Sequence, residues 1–274
     1  MVVYTDLRNR QDHIGKEIEI MKSSTPIIHT IPLFVDNYAY LIEHAGQTIV
    51  VDPGESRPII ELLELLHLKL THVLITHYDF DHIGGCEALK KEMSCQVIGS
   101  PIQTPAWVDR TVCDGEKIQL NGLFFDVLYT PGHRKNDICW YHEESASLWT
   151  GDTLFCAGCG RISAGMATQM YASLQRINQL PIATKCYVGH EYTLDNLRFA
   201  MSIEPKNEAI VRRFQTILQL RQQERPSVPS TLAEERATNP FLRCGVATVA
   251  QAVGENETSE ERVFAALRRQ KDHF

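Results

Sequence analysis

Apolar and polar residues alternate with strand period in three short segments near the start of the chain. Ile27–Ile31, Tyr38–Glu43 and Thr48–Asp52 read as strands, separated by turns such as Ala45-Gly46. Residues 1–24 are polar and aperiodic and read as an N-terminal extension. Arg57–Leu68 switches to helical spacing, with Glu61 and Glu64 on its polar face. The apolar run Val73-Leu74-Ile75 predicts a buried strand. It leads into a loop at Thr76–Gly85, which opens into a helix over Cys86–Met93. Further strands are predicted at Gln96–Gly99, Lys117–Leu120, Leu123–Tyr129, Ile138–Tyr141, Ser147–Thr150 and Lys185–Val188, with a helix at Thr168–Gln179. From Leu194 on, strand signals stop. Asn207–Glu224 and Glu257–Lys271 are amphipathic, and Pro226–Pro229 lies between them. The pattern predicts an α/β core followed by a helical segment.

Composition narrows the class. The 274 residues are 43% hydrophobic and 22% charged, as in ordinary globular proteins. No apolar run reaches the roughly 18 residues of a membrane span. Met1–Arg10 is too polar for a secretory signal, and Asp6, Asp12, Glu17 and Glu19 argue against a transit peptide. A cytoplasmic protein is therefore expected. Its eight cysteines then read as free thiols rather than disulfides. Cys156 and Cys159 form a C-x-x-C, either a redox pair or half of a zinc knuckle, but no second pair accompanies it. The net charge of −7 argues against nucleic acid as a partner. It leaves room for an anionic small molecule, because fields are screened beyond about 8 Å at cellular salt and a local Arg/Lys cluster can act alone.

The chemistry is concentrated in four loops, each following a predicted strand. They carry His77, Asp79, Asp81 and His82; His133 in Thr130-Pro131-Gly132-His133; Asp152 in Gly151-Asp152-Thr153; and His190 in Gly189-His190-Glu191. In α/β sheets, ligand-binding loops gather at the strand carboxyl ends. Imidazole and carboxylate are ordinary ligands of zinc and non-haem iron. These groups are too many for one tetrahedral ion and suit two ions sharing a bridging carboxylate. Any one cluster alone reads as a hydrogen-bonding surface group; four in succession beside glycine do not.

Those residues resemble the metallo-β-lactamase superfamily pattern T-H-x-H-x-D-H followed by lone His, Asp and His. The chain resembles the glyoxalase II family in particular. The likeness runs from Phe34–Tyr40 to the end, through Asp36-Asn37-Tyr38, Gly151-Asp152-Thr153-Leu154-Phe155, Ala157-Gly158-Cys159-Gly160-Arg161, Gly189–Thr193, Val228–Glu235 and Asn239-Pro240-Phe241. It implies an αβ/βα sandwich over 25–190 and a helical substrate-binding domain over 191–274. It implies metal site one from His77, Asp79 and His133, site two from Asp81, His82 and His190, and a bridging Asp152. Asp81, His82 and Asp152 then carry the catalytic roles. The cofactor implied is two divalent ions, with zinc the first expectation and iron or manganese the others. One departure stands out. Asp79 occupies the place of the family's second His, and Arg134-Lys135-Asn136-Asp137 replaces the family's Thr-x-Gly-His. Site one is therefore expected to bind zinc more weakly, and Asp79→His to restore it, unless Arg134 or Lys135 already offsets the Asp79 charge.

The same resemblance implies a glutathione thioester substrate, S-D-lactoylglutathione, and places its binding on Arg161, Ser163, Tyr192, Arg268 and Lys271. Arg161 keeps the charge of a family Lys, and Ser163 replaces a Tyr. Arg268 and Lys271 are three apart and share a helix face. Without the resemblance, a basic C-terminal helix reads as a solvated face that suits the helix dipole. Three other readings stay open: hydrolysis of another acyl thioester or a lactone, a diiron redox site without its flavin domain, and a non-catalytic binder of glutathione conjugates.

Overall fold

The computed structural model describes residues 25–255 and 259–274. The expected extension over 1–24 lies outside them. Two six-stranded sheets form the centre. The first runs β1(Ile27–Leu33), β2(Asn37–His44), β3(Gln47–Val51), β4(Lys69–Leu74), β5(Gln96–Gly99) and β6(Arg110–Thr111), in that order. The second contains β7(Lys117–Leu120), β8(Leu123–Tyr129), β9(Ile138–His142), β10(Ser147–Gly151), β13(Lys185–Val188) and β14(Ser230–Thr231), in the order β14-β13-β10-β9-β8-β7. A small hairpin, β11(Leu154–Phe155) and β12(Gly158–Cys159), stands apart.

Alternation decides the layers. In β2, Tyr38, Tyr40 and Ile42 face the second sheet and pack with Phe125, Trp140 and Trp149. Ala39 and Leu41 face the other way, onto Ile59 and Leu63 of α1(Arg57–Leu66) and Leu89 of α3(Cys86–Met93). Both faces of this strand are buried, as period two requires of a strand covered on each side. The outer face of the second sheet, with Leu128, Cys139, Leu148 and Val188, is covered by Met170 and Leu174 of α4(Ala167–Asn178). Phe199 of α5(Thr193–Ile203) and Phe264 and Leu267 of α9(Glu260–Asp272) join the same cluster. The result is the expected helix–sheet–sheet–helix sandwich.

The differences from the expected elements have local causes. The helix predicted to Leu68 ends at Leu66, because His67 turns into the left-handed region at φ 54° and closes it. The helix predicted over Asn207–Glu224 is α6(Glu208–Gln222), with Asn207 capping its first turn by accepting from the Ala209 N–H. The last helix starts at Glu260 behind a Ser259 cap. The loop predicted at Thr76–Gly85 contains one short helical turn, α2(Phe80–Ile83). Helix α5 and α7(Leu232–Thr238) were not predicted, and the C-terminal region is not purely helical. Ser230–Thr231 pairs antiparallel with Lys185–Cys186 and extends the second sheet. All eight cysteines are free thiols, and only Cys113 is exposed.

This topology brings the chemistry together. Strand β8 is antiparallel to β9, and β9 to β10, while β10 is parallel to β13. Strands β8, β10 and β13 therefore end on one side of the second sheet, and the loops with His133, Asp152 and His190 emerge there. The loop after β4 arrives from the first sheet.

Candidate metal centre

Two groups of side chains converge closely enough to hold cations. His77, His133 and Asp152 form one, and Asp81, His82 and His190 the other, each with its ligand atoms within 4.8 Å of one another. Asp152 faces both groups. Its Oδ2 lies 3.6 Å from His133 Nε2 and 3.4 Å from His190 Nε2, and its Oδ1 lies 3.3 Å from His82 Nε2.

Each imidazole is fixed through Nδ1, so that Nε2 points inward. His82 Nδ1 donates to Asp52 Oδ2 at 3.0 Å, and His190 Nδ1 to Asp36 Oδ1 at 2.9 Å. His133 Nδ1 donates to the Arg161 carbonyl at 2.9 Å. His77 Nδ1 sits 3.1 Å from Thr76 Oγ1, whose own proton goes to Asp52 at 2.7 Å. Outer partners of this kind set tautomer and ring orientation for metal ligation.

The buried atoms support a cation in the centre. His77 Nε2, His82 Nε2 and Asp152 Oδ1 are buried without any hydrogen-bond partner, an arrangement proteins normally avoid. The facing N and O atoms stand 3.3–3.8 Å apart, too far for strong hydrogen bonds. Two ligand atoms each about 2.1 Å from a tetrahedral ion stand about 3.4 Å apart. The spacing matches ligands around an ion rather than partners of each other.

The electrostatics agree. Burial, with the neighbouring His82, pushes the His77 imidazole down to about 3, so it is neutral. Burial alone would also lower His190, but Asp152 and Asp81 outweigh it and push it up to about 10. The carboxylates attract positive charge into the centre, and a proton and a metal ion compete for the same lone pairs.

Glycine makes room for the centre at two places. A Cβ on Gly189 would lie 2.4 Å from Asp152 Oδ1 and 2.8 Å from the His82 ring. Gly151 has φ +48°, and a Cβ there would meet Thr76 Oγ1 at 2.2 Å.

Above the centre lies a cleft of about 540 Å³ lined by Arg134, Arg161, Tyr192, Arg268 and Lys271 together with ligand-set residues. The sequence-derived binding residues differ in what they touch. The Tyr192 ring stacks on His190 at 4.8 Å. Arg268 is only 7% exposed; it donates to the Cys159 carbonyl at 3.0 Å and pairs with Asp272 at 2.9 Å. Lys271 Nζ reaches the Asp195 carbonyl at 3.2 Å and lies over the Phe199 and Phe274 rings. Ser163 is not among the lining residues; its hydroxyl donates to the His133 carbonyl at 2.5 Å and braces that turn. Cys159 lines the cleft and Cys156 is buried in the core; neither joins a cation-binding group.

Sequence reasoning missed Asp52 and gave no role to Asp36 or Asn37. Asp52 follows β3 directly, in the left-handed region at φ 51°, which Asp tolerates better than most residues. From there it accepts from the Thr76 N–H, Thr76 Oγ1 and His82 Nδ1. Asn37 Nδ2 donates to Asp81 Oδ2 at 2.9 Å. Asp52→Asn puts an amide donor against at least one of three donors. Metal affinity is expected to fall about 10–100-fold, the usual cost of losing such an outer partner, measured by competition with a chromophoric chelator.

Comparison with known proteins agrees with this geometry. Residues 33–190 match the family model described as "Metallo-beta-lactamase superfamily", and residues 191–274 match "Hydroxyacylglutathione hydrolase C-terminus". A hydroxyacylglutathione hydrolase of Pseudomonas savastanoi pv. phaseolicola is 42% identical over 256 residues, covering 90% of this chain and 99% of that protein. The chain belongs to the hydroxyacylglutathione hydrolase family. A Methylobacillus flagellatus member is also 42% identical, covering 88% of this chain and 96% of its own length. Among solved structures, ETHE1 from Myxococcus xanthus superposes with a TM-score of 0.63 at 27% identity, covering 89% of this chain and 90% of that one. TTHA1623 in a di-iron-bound form gives 0.57 at 25% identity, covering 80% of this chain and 100% of its own. The residues that set this hydrolase family member's C-terminal part in place are the family-like stretches themselves. Thr231 and Glu234 form a reciprocal capping box. Glu235 accepts from the Ala157 N–H, and Asn239 Nδ2 donates to the Gly158 carbonyl. They fix the 155–161 loop whose Arg161 carbonyl in turn orients His133.

Proposed function

We propose that this chain hydrolyses glutathione thioesters, taking S-D-lactoylglutathione and water to D-lactate and glutathione in the cytoplasm. The observation that carries the reading is the set of inward-facing, unpartnered imidazole and carboxylate atoms at the floor of a cleft lined by cationic side chains. His77, Asp79, His133 and Asp152 would hold one divalent ion, and Asp81, His82, His190 and Asp152 the other, with zinc the first expectation for this N/O donor set and iron or manganese the others. Such a pair supplies a water acidified towards neutral pH and positive charge for the oxyanion of a carbonyl under attack.

The chain's own residues do the rest. Asp81, held by Asn37 at 2.9 Å, lies at the cleft, where it can orient the attacking water. Arg161 and Lys271 provide fixed positive charge for the carboxylates of glutathione. Arg268 serves mainly by tying α9 to the Cys159 carbonyl. Tyr192, stacked on His190, forms an apolar wall beside the acyl group. The departing thiolate, with a thiol pKa near 8.5, needs little help from a general acid. Residues 25–190 form the catalytic domain in this reading and 191–274 the substrate-binding domain. No helix of the described residues is long and apolar enough to cross a membrane.

Lys271→Ala tests the binding end. It is expected to raise KM for glutathione thioesters about 10–100-fold with kcat little changed, since a charged hydrogen bond to substrate is worth about 1.5–3 kcal/mol. Steady-state kinetics with S-D-lactoylglutathione decides; a collapse of kcat at constant KM contradicts the assignment. Arg268→Ala is expected to raise KM and also to lower stability, because it removes a buried tie between α9 and β12.

A further inference from the structure

Arg134 is already engaged at the edge of the metal centre. Its Nε donates to Asp79 Oδ1 at 2.8 Å and to Oδ2 at 3.0 Å, and its Nη2 donates to Oδ2 at 2.7 Å. Oδ2 is also the oxygen that faces His133 Nε2 at 3.4 Å and His77 Nε2 at 3.8 Å. It stands at ligand spacing from both rings while the guanidinium caps it. The Arg134 backbone is anchored, with its N–H on Asp137 Oδ2 at 2.6 Å and its carbonyl accepting from Gly132. Its side chain is 44% exposed and lines the cleft, so the head can move while the base stays fixed.

We propose that Arg134 is an internal competitor for the cation site built on His77, His133 and Asp152. Its guanidinium holds the Asp79 carboxylate that would complete that site. The chain takes up its first divalent ion at Asp81, His82, His190 and Asp152, and a second only by giving up the Asp79–Arg134 pair. The inference rests on the two-ion reading above and adds an order of loading and the residue that imposes it.

Charge explains why the two residues act together. A carboxylate and a guanidinium sum to zero, like one neutral imidazole. Arginine keeps its charge at any accessible pH, so the pair cannot be dissolved by protonation changes on its cationic side. Changing one member leaves a charge uncompensated beside the centre. Arg134→Leu leaves a free carboxylate, which attracts a dication. Asp79→His leaves a bare guanidinium, which repels one. Changing both leaves a neutral imidazole and no competitor. The effects of the two substitutions on the second binding step are therefore strongly non-additive, as for other directly contacting pairs.

The test is a Zn²⁺ titration of the metal-stripped full chain against a chromophoric chelator, in wild type, Arg134→Leu, Asp79→His and the double variant. Wild type is expected to show a tight first step and a weaker second one. Arg134→Leu should tighten the second step at least about tenfold, the scale of outer-partner effects on metal affinity. Asp79→His alone should not tighten it, and the double variant should. The first step should be unchanged in all four proteins. A second step that weakens or stays put in Arg134→Leu overturns the inference, as does a wild type with two equally tight steps. Absence of a first step in every protein overturns the two-ion reading itself, and the inference with it.

Discussion

Asp152→Ala is expected to abolish thioester hydrolysis, lowering kcat/KM by at least about 10³-fold, the scale of removing a group that stabilises the reacting centre. Among the described residues, Asp152 is the one carboxylate that faces both cation-binding groups, with oxygens 3.3–3.6 Å from His82, His190 and His133. On the two-ion reading proposed above, its loss removes a ligand from each site at once. His82→Ala should behave similarly, because it takes the inward Nε2 from the group that matches the family pattern at every position. It also leaves Asp52 without one of its three donors. Both variants should remain folded, since the side chains they remove lie at the loop ends rather than in the sandwich core. Metal content measured on the same samples should fall with activity. Turnover within a few-fold of wild type in buffers freed of metal would contradict the assignment.

Glu235→Ala is expected to cost about 3–5 kcal/mol of stability, because truncating one partner of a buried ion pair leaves the other charge uncompensated. Glu235 is fully buried. It accepts from Arg213 at 2.5 Å, Ala157 N–H at 2.7 Å and Asn239 at 3.0 Å. Arg213 is itself 8% exposed and has no other carboxylate within ion-pair distance among the described residues. For a chain of this size the loss corresponds to a fall in Tm of roughly 6–20 °C, read by thermal unfolding. Activity should fall as well. The 155–161 loop loses one of its anchors, which loosens the Arg161 carbonyl that orients His133. A Tm within about 2 °C of wild type would mean that the C-terminal region does not hold that loop through Glu235.

The loops that converge on the two cation-binding groups were legible in the sequence because each follows a strand and stands beside glycine. The reason became visible only in three dimensions: a side chain at Gly189 would occupy the space between Asp152 and His82. The core sandwich was legible from its short apolar runs, since β2 and β9 are buried on both faces and carry mostly apolar residues. Asp52 was not legible. It lies outside both cation-binding groups, and its partners Thr76 and His82 lie 24 and 30 residues away. A lone Asp before Pro-Gly at a strand end was the available signal. The Asp79 and Arg134 departures were each visible, but their pairing across 55 residues was not. Helix α5 escaped because it begins directly after the His190 loop, where Thr193 and Asp195 read as turn residues. Strand β14 is too short for periodicity to register.

The most direct test of the central claim is metal analysis and S-D-lactoylglutathione turnover on one preparation, before and after chelation and after readdition of a divalent ion. The account predicts bound metal in the purified protein, loss of turnover in step with metal removal, and recovery on reloading with Zn²⁺. Undiminished turnover in fully stripped protein, or none in protein reloaded with metal, would contradict it.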